Sequence, residues 1–175
     1  MTPDEPITVS QEEHREIMDR IRSGQVFVYP TDTAYGLGAS IRNEEAVRRV
    51  FELKDRPLEK TVPVLTTSVK ARELVDTEDP EERAMETFWP GGLTLVLSVT
   101  VPEEYPPGLV RDGTMALRAP GREYLREVLA ATPPIVGTSA NPSGEKTPYE
   151  RKDLDPDLLS EVDFRVEGTP EGDDS

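Results

Sequence analysis

Lys54 and Arg56 stand two residues apart in "KDRP", just past an apolar pattern of helical spacing. A second concentration of polar groups, "GTSANPSG" (137–144), follows the apolar run "PPIV" and carries three hydroxyls, one amide and two glycines. A third, "PTDTAYGLG", follows "VFVY", and Arg118 sits among apolar neighbours in "TMALRAP". The cations suit phosphate oxygens, the hydroxyls and amide are neutral donors, and glycines let backbone N–H groups approach a ligand closely. Arg118 offers a planar fork for a carboxylate. That inventory fits an anionic ligand bearing a polyphosphate and a carboxylate. It contains no nucleophile paired with a base, so the chemistry it supports is positioning and electrostatic stabilisation.

Each feature also has an ordinary structural explanation. Cations at a helix C-terminus meet the helix dipole. "TDTAYGLG" and "TSANPSG" could be turn chemistry alone. Arg118 could pair with an acid on a neighbouring strand, since a charge inside an apolar strand is costly until it meets one. A substrate carboxylate would meet it only when bound.

The elements that would position these residues alternate. Ser10 with Glu13 reads as a capping box and Gly24 as a stop, framing an N-terminal helix. "VFVYP" (26–30) reads as a buried strand, and "TDTAYGLGAS" as a loop. "NEEAVRRVFELK" (43–54) reads as a helix capped by Asn43. "TVPVLTT" (61–67) is a strand, followed by short helices starting at Ser68 and Pro80. "GLTLVLSV" and "GTMALRAP" are strands with no helix between them, so the sheet should be mixed. "REYLREVLAA" is a helix, "PPIVGTSA" a strand, and "LDPDLLSEV" and "DFRVEG" a last helical turn and strand. Strands interleaved with helices indicate an α/β or α+β domain, expected over residues 1–168, with 169–175 a disordered tail. Ligands of open α/β sheets gather at strand ends, which is where the polar runs fall.

Composition closes several routes. The 175 residues contain no cysteine, which removes disulfides, thiolate metal sites and a cysteine nucleophile. The single histidine, His14, lies in an acidic amphipathic segment and is expected on a helix surface, so neither a His-rich zinc site nor a Ser-His-Asp triad is expected. No GxGxxG follows the first strand and no GxxxxGK[ST] occurs, excluding the dinucleotide and P-loop signatures. The N-terminus lacks the pattern of a signal peptide and no apolar stretch is long enough to span a bilayer, so the expected location is cytoplasmic, with no membrane partner. Thirty-five acids against 20 bases give a net charge of −15, and arginine outnumbers lysine 15 to 5. Such a surface repels nucleic acid at ordinary salt, so RNA binding would be weak. It fits a halophilic milieu, where molar salt screens self-repulsion within a few ångströms.

"PTDTAYGLGA", "KDRP", "WPGGLTLVL", "ALRAP" and "GTSANPSGE", in this order from Pro30 to Gly144, resemble the YrdC-like family, the threonylcarbamoyl-AMP synthases, in its short single-domain form. Its Lys-x-Arg and Ser-x-Asn signatures fall on Lys54-Asp55-Arg56 and Ser139-Ala140-Asn141. The resemblance implies a YrdC-like twisted, mostly mixed sheet with flanking helices around a deep, locally basic cavity. It implies a nucleotidyltransferase that forms L-threonylcarbamoyladenylate and pyrophosphate from L-threonine, bicarbonate and ATP with Mg²⁺. The adenylate would pass to a tRNA-modifying transferase complex. The alternative within the family is a non-catalytic nucleotide- or RNA-binding protein. By the resemblance, Lys54, Arg56 and Asn141 hold the ATP phosphates, with Lys54 and Arg56 catalytic, and Lys60 and Thr114 are weaker ATP contacts. Thr33, Arg118 and Ser139 bind threonine, and Ser175 matches the serine of a closing Ser-Thr-Val. Leu65 replaces a histidine that the longer branch carries near threonine, and Tyr149 replaces a common threonine.

Overall fold

The computed structural model describes residues 6–171. Ten strands form two mixed five-stranded sheets with six α-helices around them. In the first sheet, β1 (Ile7–Val9), β10 (Phe164–Val166) and β2 (Phe27–Pro30) run parallel, and β3 (Tyr35–Gly38) and β9 (Thr138–Ser139) continue it antiparallel. The second has the order β5 (Val75–Asp76), β6 (Leu95–Val99), β7 (Thr114–Arg118), β4 (Val64–Leu65), β8 (Ile135–Val136), with only β7 and β4 parallel. The two sheets meet where residues 39–41 run beside β8. Val136 N–H donates to Ala39 O at 2.8 Å and Ile41 N–H to Pro134 O at 3.0 Å.

The strand β2 is buried on both faces, which is why it reads as an unbroken apolar run. Val26 and Val28 face one core, with Leu37, Val47, Phe51, Met115 and Leu117. Phe27 and Tyr29 face the other, with α1 (His14–Arg22) and α5 (Glu123–Ala131) supplying Ile17, Ile21, Leu125 and Leu129.

β3 corrects the reading of "TDTAYGLGAS" as a loop. Tyr35 and Leu37 point into the first core, and Gly36 and Gly38 pair with Tyr29 and Phe27 across the hairpin. A Cβ on either glycine would lie 2.7 Å from the Tyr29 ring. The glycines that look like turn residues are strand positions over which two aromatic rings of β2 lie.

α2 (Glu44–Lys54) starts as expected, with the Asn43 side chain accepting from Ala46 N–H at 2.9 Å. It ends on Asp55 in the left-handed region (φ 52°), and Arg56 N–H closes back onto Phe51 O at 3.0 Å. α1 begins later than the capping-box reading placed it: Ser10 belongs to a preceding turn, and Glu13 is the cap residue. Gly24 (φ 87°) does end α1. α3 (Ser68–Leu74) starts at Ser68 as expected, capped by Thr67, and α4 (Asp79–Phe88) is capped by Glu78, with Pro80 in its first turn. The expected strand 133–140 is two strands, β8 and β9. It changes sheet at Gly137, where a Cβ would come within 2.3 Å of Leu65 Cγ. α6 (Pro156–Glu161) and β10 occupy the places read for the last helical turn and strand.

Candidate active site

Two clusters form where the polar runs meet. In the first, α2 delivers Lys54 against the loop after β9. The ammonium donates to Ser139 O at 2.8 Å, Asn141 O at 2.7 Å and Asn141 Oδ1 at 3.0 Å. Three donors meet three acceptors, so Lys54 is fully paired although only 3% exposed. Burial, and secondarily the Arg56 charge, lowers its pKa from 10.5 to about 8. Ser139 Oγ donates to Asn141 Oδ1 at 2.6 Å, and Asn141 Nδ2 donates to Glu145 O at 2.7 Å and Lys146 O at 3.1 Å. Ser143 N–H returns to Lys54 O at 2.9 Å. The loop 139–146 is therefore latched to the end of α2.

Arg56, half-buried, lies beside this latch. Its Nε donates to Lys60 O at 2.5 Å and Nη2 to Thr61 O at 2.8 Å. The segment 57–61 thus wraps one edge of the guanidinium. Lys60 is exposed and joins the site through its carbonyl.

The second cluster surrounds Arg118 at the end of β7. Nε donates to Gly91 O at 2.9 Å, Nη1 to Thr33 Oγ1 at 3.2 Å, and Nη2 to Asp32 Oδ1. The other Asp32 oxygen accepts Gly121 N–H at 2.8 Å. Arg118 therefore has a permanent acid partner, the alternative left open for a charge inside an apolar strand. Of its five N–H groups two remain, one on each terminal nitrogen. That is the number a bidentate carboxylate takes. Sequence reasoning did not single out Asp32. Its signal was an acid directly after a buried strand, "YPTD".

β3 joins the clusters. Gly36 pairs with Ser139, and Ala140 N–H donates to Tyr35 O at 2.9 Å, so the Ser139 loop runs two to three residues from Thr33. Thr33 is held by its turn, where Thr31 Oγ1 accepts from the N–H groups of Thr33 and Ala34 at 3.0 and 3.1 Å. Thr114 is not part of either cluster. It lies at the opposite end of β7 from Arg118, about 13 Å away at the rise of an extended strand, and donates to Arg111 O in its own turn at 2.8 Å. Ser175 lies outside the described residues. Leu65 packs in the core, and His14 pairs with Glu127 at 3.1 Å across α1 and α5, away from both clusters.

Among the described residues no group of three or more histidines and carboxylates is placed to hold a metal ion, and no helix is long and apolar enough to cross a membrane.

Residues 19–175 match the family model Sua5_yciO_yrdC, described as Telomere recombination. Among curated proteins, the chain is similar to Threonylcarbamoyl-AMP synthase of Pyrococcus abyssi, 37% identical over 153 residues, 85% of this chain and 44% of that protein. It is also similar to Threonylcarbamoyl-AMP synthase of Xanthomonas euvesicatoria, 38% identical over 153 residues and covering 81% of that protein. Among solved structures, P. abyssi Sua5 complexed with L-threonine superposes with a TM-score of 0.79 at 33% identity, over 94% of this chain and 50% of that one. The chain spans about half the length of several of these relatives, and about four fifths of others.

Proposed function

The chain belongs to the Sua5_yciO_yrdC family, and on that premise we propose that it is a threonylcarbamoyl-AMP synthase acting through the two clusters. The observation that carries the reading is the proximity of a carboxylate-ready arginine, Arg118 bonded to Thr33, and a cationic latch, Lys54 bonded to Ser139 and Asn141 with Arg56 beside it, through β3, which follows the Thr33 turn and pairs with the Ser139 strand β9. One end suits an amino acid and the other a polyphosphate.

Threonine's carboxylate would take the two remaining Arg118 N–H groups, with Thr33 and Ser139 offering hydroxyls to its side chain. The amine nitrogen, once its ammonium proton has passed to solvent, bonds to the carbon of bicarbonate with loss of water and gives an N-carboxylate. An oxygen of that carboxylate attacks the α-phosphorus of ATP, the bond to the β-phosphate oxygen breaks, and pyrophosphate leaves. Negative charge grows on the leaving group, where preorganised cations contribute most to the rate. Arg56 keeps three N–H groups for that charge after its two bonds to the 57–61 loop. Lys54 holds the Asn141 loop and adds its charge behind it. Lys60 lies on the segment that Arg56 organises. Thr114 would reach only the far end of an extended nucleotide. Mg²⁺ would arrive with ATP, since no carboxylate cluster among the described residues is placed to hold it beforehand.

The sheet-bounded cavity, a single domain over residues 1–168, a threonine contact from Ser175, and transfer of the adenylate to a tRNA-modifying complex belong to the same proposal. Pyrophosphate release from ATP tests it. Release that requires both L-threonine and bicarbonate supports the synthase. Nucleotide binding without release would make the chain a binding protein of the family.

A further inference from the structure

Arg122 has no part in the chemistry above, and its position is unfavourable for a helix. It precedes α5 as the cap residue, makes no side-chain cap, and brings a cation to the positive end of the helix dipole. Nevertheless its side chain is only 12% exposed. Its donors all leave the helix. Nη1 donates to Thr31 O at 3.2 Å and to Thr169 O at 2.6 Å, and Nε faces the Glu171 carboxylate at 3.1 Å. The guanidinium lies 5.6 Å from the centre of the Tyr124 ring, and the Tyr124 hydroxyl donates to Pro30 O at 2.5 Å. From the other side, Glu171 N–H donates to the same Thr31 carbonyl at 3.1 Å, and the Tyr35 hydroxyl to Gly168 O at 2.6 Å. Residues 168–171 therefore lie as a strap across the turn 31–34, and Arg122 bonds both.

We propose that Arg122 is a positioning residue for the amino-acid end of the site: it fastens the strap 168–171 and the turn 31–34 to the start of α5, and so sets Asp32 and Thr33 against Arg118. The proposal deepens the proposed function and rests on it for the identity of the ligand. The physical reason is direct. Thr33 and Asp32 hang from a four-residue turn, and a turn of that length moves as a unit when its carbonyl anchors are lost. Arg122 and Tyr124 anchor two successive carbonyls, Pro30 and Thr31, at its entry. A guanidinium can bridge two carbonyls and a carboxylate at once because its donors fan out in a plane. A lysine ammonium reaches fewer of them from one point.

The test uses the full chain with Arg122→Met and Arg122→Lys, the latter keeping the charge should the former fold poorly. Amide hydrogen exchange is measured without ligand, and L-threonine and ATP are titrated separately by calorimetry. The expected result is faster exchange confined to residues 31–34 and 168–171. Threonine affinity should fall about tenfold in Arg122→Met, the scale of one misplaced charged contact, with an intermediate loss in Arg122→Lys and ATP affinity unchanged. Unchanged exchange at 31–34 overturns the proposal, as does a threonine affinity equal to wild type. A loss of threonine and ATP affinity together, with exchange raised throughout, also overturns it, because Arg122 would then be a general stability residue. If the wild-type chain binds no threonine, the amino-acid assignment fails on its own account, and the exchange result still decides whether Arg122 holds the turn.

Discussion

Lys54 is predicted to make the protein more stable as pH rises from 8 toward 10.5, against the usual expectation for a paired lysine. Burial depresses its pKa from 10.5 to about 8, so between those values the unfolded chain holds a proton that the folded chain has released. Stability rises with pH wherever the unfolded state binds more protons. Below pH 8 both states are charged, and the folded state carries the full desolvation cost. At 1.36 kcal/mol per unit the whole shift corresponds to about 3 kcal/mol. The three bonds from the ammonium to oxygen favour the charged form and offset part of this cost, so about 1–2 kcal/mol is expected. Urea unfolding of the wild type and of Lys54→Met, at intervals from pH 7 to 10, isolates the residue because methionine does not titrate. The wild type should gain on the variant by that amount across the interval. A constant difference would show that the ammonium is not desolvated and that its three contacts are those of an ordinary surface lysine. Pyrophosphate release should move oppositely, falling above pH 8 as the latch loses its charge.

Arg56→Ala and Lys54→Ala should each lower the rate of pyrophosphate release by about two to three orders of magnitude, the scale of one preorganised charge at a developing anion; near wild-type rates in both would remove them from the site. Arg118→Ala should weaken L-threonine binding strongly and leave ATP binding nearly unchanged in calorimetric titrations. A drop in melting temperature with unchanged threonine affinity would mean that Arg118 serves only its ion pair with Asp32. The melting temperature should rise from dilute to molar potassium chloride, because screening relieves repulsion among 35 acidic residues facing 20 basic ones; a fall would leave the acidic surface as a solubility feature alone.

The alternation of elements was legible because helix and strand periods are local. Asn43, with Ala46, Val47, Val50 and Phe51 behind it, can hardly be anything but a capped amphipathic helix. The hairpin partner β3 was not legible, because Gly36 and Gly38 look like turn residues until the Tyr29 and Phe27 rings are placed over them. That information lies across the hairpin and not within the segment. The division of 135–140 between two sheets was hidden for a similar reason: only the Leu65 side chain, 72 residues upstream of Gly137, shows why a glycine stands there. At the site, the residue types of Lys54, Arg56, Arg118 and the 138–143 loop announced anion chemistry, while their partners did not appear. Asp32 and Arg122 act over sequence separations of 86 and 91 residues, to Arg118 and Thr31 respectively, which no local pattern records.

Those long-range partners also decide which cation can meet a ligand first. Lys54 has all three donors on the Ser139–Asn141 loop, so a phosphate reaching it must displace a carbonyl or the Asn141 amide oxygen. Arg118 has three of five donors engaged and two left, enough for one carboxylate and no more. Arg56 has two engaged, both to backbone carbonyls of its own loop, and three left. A triphosphate should therefore bind first through Arg56, and a carboxylate through Arg118, with Lys54 acting from behind the loop it holds. The two ends then differ in character: a cation balanced by Asp32 suits a zwitterionic amino acid, and an arginine with no acid partner among the described residues, beside a charged lysine, suits a polyanion.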